Sequence, residues 1–160
     1  MKTDTKKGIK VLFHILFWVY FLIAICFLIF KYPAAFLKSI ADNWNRGVIL
    51  SGLSTANFVP LKTIKMYIRY ADRLNSFENI VGNIVIFMPF GFLVPFTWKK
   101  NHGVGMIFAL GFIFSMGVEL TQLISGFGAF DVDDLILNTL GAILGYFVYK
   151  IIKKLFKKIN

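Results

Sequence analysis

From Val11 to Phe30 the chain runs for twenty residues with one polar interruption, His14. At about 1.5 Å of rise per residue such a helix covers about 30 Å, the depth of bilayer hydrocarbon. Lys2, Lys6, Lys7 and Lys10 precede the run, as in a secretory signal peptide. Signal peptides, however, hold only about 7–15 apolar residues and end at a small-residue cleavage site. Here the run is longer and Lys31-Tyr32-Pro33 follows it, so an uncleaved membrane anchor is expected.

Three further apolar stretches, 79–96, 104–124 and 135–152, each approach the length a membrane-spanning helix needs. Composition agrees: 58% of the 160 residues are hydrophobic and 16% charged. Soluble domains average about 45–50% and about 25%. The expected architecture is an all-α integral membrane protein, one domain over 1–160, with four transmembrane helices as a bundle.

A net charge of +10 could suggest nucleic-acid binding, but the basic residues flank the apolar runs instead of forming one soluble face. Flanking Lys and Arg hold helix ends against anionic lipid and set orientation. Cys26 is the one cysteine, which rules out an internal disulfide and a Cys-based zinc site. His14 reads as an interfacial residue near the basic end of its run, and His102 lies in a short loop.

Between the first two spans, Leu61, Ile64, Ile68 and Ala71 alternate at helical spacing with Lys62, Lys65, Arg69 and Asp72. That pattern predicts an amphipathic interfacial helix over 61–75, entered through Asn57 and Pro60. With four spans, Lys2, Lys6, Lys7, Lys10, Lys99, Lys100, Lys150, Lys153, Lys154, Lys157 and Lys158 share one side. The loop at 125–134 on the other side carries Asp131, Asp133 and Asp134 and no basic residue. The side of the termini holds eleven basic residues against seven on the other, all seven in the long segment after the first span, and the excess places both termini in the cytoplasm.

This topology brings polar residues of three spans to one depth. Asn79 and Asn83 are four apart, as are Asp134 and Asn138, so each pair shares a helix face. Glu119 and Gln122 lie near the outer end of the third span. Below them the polar stripes continue as small residues: Gly111 and Ser115 on the third span, Gly141 and Gly145 on the fourth. Small residues let membrane helices approach closely and polar ones prefer protein to lipid, so both stripes are expected to face the bundle interior. Pro89 cannot donate to the Val85 carbonyl, which predicts a kink. That kink serves either packing or a broken-helix ligand site. Ionisable groups at membrane depth are costly and mark functional sites by default. A cation, a protonated Glu119 or basic residues of the long segment are the candidates for balancing the acidic cluster.

The stretches NFVPLKTI at 57–64, NIVGNIVIFMPFGFLVP at 79–95 and GVELTQLISGFGAFDVDDLILNTLGAILGY at 117–146 resemble the VanZ-like family. Its members are small bacterial membrane proteins whose namesake is linked to teicoplanin resistance. The matching positions are Asn57, Pro60, Asn79, Asn83, Pro89, Gly91, Glu119, Gln122, Asp131, Asp134, Asn138, Gly141 and Gly145. Gly128 stands where many members carry an arginine three residues before the first Asp; if that arginine grips an anionic group, this chain lacks the grip.

The resemblance implies a protein of the bacterial cytoplasmic membrane that lowers the action of teicoplanin-type lipoglycopeptides at the outer surface without catalysis. Its functional cluster would be Asn79, Asn83, Glu119, Gln122, Asp131, Asp134 and Asn138, with no cofactor. The expected partners are the lipid bilayer, a glycopeptide antibiotic or lipid-linked cell-wall precursor, and a second copy in a homo-oligomer, with no nucleic acid. Two alternatives stay open: a membrane-embedded enzyme acting on a lipid-linked envelope substrate, with Glu119 and Asp134 as metal ligands or acid–base groups, and a small permease or assembly scaffold.

Overall fold

The computed structural model describes residues 2–29, 32–71, 75–98 and 103–159. Among these the chain forms helices α1 (Lys2–Ile29), α2 (Ala34–Asp42), α3 (Arg46–Thr55), α4 (Lys62–Arg69), α5 (Ser76–Thr97), α6 (Val104–Ser125) and α7 (Val132–Ile159). Four segments are long and apolar enough to cross a membrane: Lys7–Leu28, Phe77–Thr97, Val104–Ser125 and Val132–Phe156. They coincide with the four expected spans; Phe30, the expected end of the first, lies outside the described residues.

The long spans pack as a bundle with α5 against α7 at its centre, α1 beside α5 and α6 beside α7. Glycine sets the central contact. A Cβ at Gly141 would lie 2.2 Å from the Ile84 carbonyl oxygen, and one at Gly145 only 1.8 Å from that of Met88. Only a residue without a side chain lets the two backbones meet this closely, and the exposed Cα–H groups then face carbonyl oxygens. Around this contact Phe17, Phe90, Leu93, Val94, Ile107, Ala142 and Tyr146 form the main apolar core.

The buried polar residues face the bundle interior beside this core, while the exterior is apolar. On α6 the buried face reads Ile107, Gly111, Ser115, Val118, Glu119, Gln122 and Leu123. Its opposite face exposes Phe112, Ile113, Leu120 and Ile124. On α1, Leu22, Ile23 and Phe27 are each more than 60% exposed. A water-soluble helix partitions the other way, so lipid is the solvent this surface fits. Both small-residue stripes face inward as expected, because Gly111, Ser115, Asn138, Gly141 and Gly145 are buried.

Three details differ from the sequence expectation. The segment between the first two spans holds three short helices, where one amphipathic helix over 61–75 was expected. Of these α4 matches the expected position but ends at Arg69, and Tyr70 and Ala71 form a turn. Residues 72–74 lie outside the described residues, and α5 starts at Ser76. Finally, α5 runs unbroken from Ser76 to Thr97 through Pro89 and Pro95, so the broken-helix reading of Pro89 does not hold.

Candidate functional site

The site begins with a clamp between the segment entering α4 and the start of α7. Asn57 and Asp131 form a single parallel bridge: the Asn57 N–H donates to the Phe130 carbonyl at 2.8 Å, and the Val132 N–H to the Asn57 carbonyl at 3.0 Å. The Asn57 side chain turns its own loop by accepting from the Val59 N–H at 3.0 Å, and donates to Asp131 Oδ1 at 2.8 Å. Asp131 also accepts from Thr63 Oγ1 at 2.6 Å and from the Asp133 N–H at 2.8 Å. The last bond makes Asp131 the N-cap of α7, satisfying a backbone donor that the first turn leaves open.

Helix α4 has the reverse problem. Its N-cap is Leu61, held at φ 66° and carrying no acceptor. The fully buried carboxylate of Asp133 supplies what leucine lacks, accepting from the Leu61 N–H and, at 3.0 Å, from the Ile64 N–H. A carboxylate at a helix N-terminus also meets the favourable end of the helix dipole.

Beside this clamp lies a cavity of about 590 Å³, lined by α1, α4, α5, α6 and α7. Asn79, Asn83, Glu119, Gln122, Asp134 and Asn138 all line it. The common depth read from the sequence is therefore a common chamber. Asp131, the seventh member of the expected cluster, does not line it; its carboxylate is committed to Asn57, Thr63 and the α7 cap.

Each lining residue has a definite setting. Glu119 is 2% exposed and accepts from the Asp131 N–H through Oε2 at 2.8 Å, which joins the chamber to the clamp. Asn83 Nδ2 donates to Asp134 Oδ1 at 2.6 Å, linking α5 to α7. Gln122 Nε2 donates at 2.7 Å to the Leu28 carbonyl, one of the acceptors left open in the last turn of α1. Asn138 Nδ2 donates to Ser115 Oγ at 2.9 Å, while Asn138 Oδ1 is buried with no partner among the described residues. Asn79 is the outermost, exposed, with its amide donating to the Asn75 carbonyl at 2.8 Å. Buried unpaired acceptors are rare in folded proteins, and this one belongs to a residue that lines the cavity, from which water or a ligand can bring a donor.

Tyr32, Tyr67 and Glu78 also line the chamber and were not singled out in the sequence. Burial first, then the negative field of Asp134 and Asp131, raises the Tyr67 phenol above its ordinary value near 10, so it stays a protonated donor. A second cavity of about 620 Å³ lies between α2, α3 and the loop after α6. It contains Gly128, and Tyr32 lines both cavities. The Trp44 indole fixes this corner by donating to the Ile124 carbonyl at 2.9 Å.

Among the described residues no group of three or more His, Cys, Asp or Glu is arranged to hold a metal ion. The chamber offers acceptors and amides, chemistry suited to ligands rich in N–H and O–H groups.

Four long helices with lipid-fitting exteriors and a polar chamber at one end define a small multi-pass membrane protein. The family model described as VanZ/LLP1 matches residues 17–153, and the chain belongs to that family. It is similar to Protein VanZ of Enterococcus faecium, with 35% identity over 81 residues. That match covers 49% of this chain and 48% of the relative, so the chain spans about half the length of the protein it matches. No solved structure matches it.

Proposed function

We propose that this VanZ-like membrane protein lowers the action of teicoplanin-type lipoglycopeptides at the outer surface of the bacterial cytoplasmic membrane, by binding and without catalysis. One observation carries the reading: six polar side chains from three spans converge on one chamber at the end of the bundle opposite the termini. With both termini cytoplasmic, as the distribution of Lys and Arg favours, that chamber opens outward. Lipoglycopeptides and lipid-linked cell-wall precursors combine an acyl tail with amide and hydroxyl donors. Glu119, Asp134 and the unpaired Asn138 Oδ1 are acceptors for such donors, and the polar cluster is the ligand site in this reading.

The test is expression in a glycopeptide-sensitive bacterium. The inhibitory concentration of teicoplanin rises, and that of vancomycin, which has no acyl tail, changes less. Equal change for both drugs overturns the proposal. Mass spectrometry of lipids and precursors from the same cells gives an unchanged profile; a new or depleted species would favour the enzyme reading instead.

A further inference from the structure

At the other end of the bundle a groove of about 580 Å³ opens between α1, α5 and α7. Its walls are Phe13, Phe92, Phe96, Tyr149 and Phe156, and Lys153 stands at the lip. The aromatic walls are fixed by mutual packing: Phe13 stacks on Phe96 with centroids 3.9 Å apart, and Phe96 meets Tyr149 edge-on at 5.0 Å. Lys153 Nζ lies 5.4 Å over the Tyr149 ring, one turn earlier on α7, and Lys150 Nζ lies 5.3 Å over Tyr146. These cation–π contacts hold both ammonium groups back along α7; Lys153 lines the groove, and Lys150, three residues earlier, neighbours it on the helix surface.

We infer that this groove is a binding site for an anionic phospholipid of the leaflet on the side of the termini, with an acyl chain along the aromatic walls and the phosphate on Lys150 and Lys153. Charge complementarity selects this occupant, because basic pockets between membrane helices favour anionic headgroups over zwitterionic ones. A second lipid-facing groove, of about 300 Å³ between α1 and α6, is lined by Phe21, Ile25, Ile113 and Phe114 and has no charged residue on its rim. It has the apolar walls without the cations, and it is expected to take any acyl chain.

The experiment uses the full chain in nanodiscs with a trace of phosphatidylglycerol or phosphatidylcholine, each with the same photoactivatable acyl chain, and maps labelled peptides by mass spectrometry. At Phe92, Phe96 and Tyr149 the phosphatidylglycerol probe labels at least about fivefold more than the phosphatidylcholine probe, the gain expected from one lysine at a membrane surface. At Ile113 and Phe114 the two probes label equally. Lys150→Gln with Lys153→Gln abolishes the preference while phosphatidylcholine labelling and helical content stay unchanged, which separates loss of the site from loss of the fold. Equal labelling by both probes at the first groove overturns the inference. So does a preference that survives the double substitution, or crosslinking of the groove to a second copy of the chain.

Discussion

Glu119 on α6 and Asp131 at the head of α7 are joined by a hydrogen bond in which the Asp131 N–H donates to Glu119 Oε2 at 2.8 Å. One carboxylate thus serves both parts of this end of the bundle: one oxygen supports the clamp and the side chain lines the chamber. Replacing the charge and removing the acceptor are therefore separable operations.

Glu119→Gln keeps an acceptor for the Asp131 N–H, and Asp134→Asn keeps one for Asn83. Both variants are expected to reach near-normal membrane abundance with reduced teicoplanin resistance. Glu119→Ala leaves a buried N–H unpaired, costs about 1–3 kcal/mol, and lowers abundance as well. Immunoblots of membranes beside inhibitory concentrations check both outcomes. Full resistance in Glu119→Gln and Asp134→Asn would remove the acidic charges from the function.

Asp133 and Asp131 are expected to behave as stability residues. Asp133→Ala strips two backbone donors of their shared acceptor, and Asp131→Ala removes the α7 cap with the bonds to Asn57 and Thr63. Each loss is expected to cost about 2 kcal/mol. Unfolding titrations in mixed detergent micelles would read it as an earlier midpoint; an unshifted midpoint would contradict the clamp.

At the α5–α7 contact, Gly145→Leu forces apart two backbones that leave no room even for a Cβ beside Met88. Folded protein recovered in mild detergent should fall several-fold. Gly117→Ala is the control, since a Cβ there meets nothing within 4 Å, and its recovery should match the parent.

Tyr67 gives a pH signature. Its phenol is raised above 10.0 by burial and by Asp134 and Asp131, so its folded value exceeds its unfolded one. Its contribution to stability is complete below pH 10 and is lost as pH rises from there through the raised value. Difference absorbance between parent and Tyr67→Phe should show ionisation later than that of free tyrosine. Asp134→Asn should bring it earlier.

Topology is tested by cysteine labelling after Cys26→Ala. Ala129→Cys is expected to react with an impermeant maleimide in intact cells, and Asn101→Cys only after permeabilisation. Reaction of both from outside would undo the outward chamber.

The four spans were legible because bilayer thickness imposes a length on apolar runs that no soluble core imposes. The convergence of Asn83, Glu119, Gln122, Asp134 and Asn138 was legible for a related reason, since four-residue spacing fixes a helix face and short loops fix depth. The division of labour within the sequence DVDD was not. Which of three acidic residues caps a helix depends on where the backbone of 57–64 runs, and that segment is placed by tertiary contact. The helices α2 and α3 escaped notice because they are short and carry no long apolar face, and their corner is held by Trp44 reaching an α6 carbonyl eighty residues away. Tyr67 is inconspicuous in a helix whose sequence signal is its amphipathic alternation.

The cap of α4 has a consequence for biogenesis. Leu61 and Ile64 leave the ribosome about seventy residues ahead of Asp133, the acceptor both N–H groups share. Until α7 is integrated, the start of α4 is uncapped and Tyr67 has no chamber wall to complete. The chamber end of the bundle is thus closed by the fourth span, and nascent chains halted before it would carry three spans without a finished site.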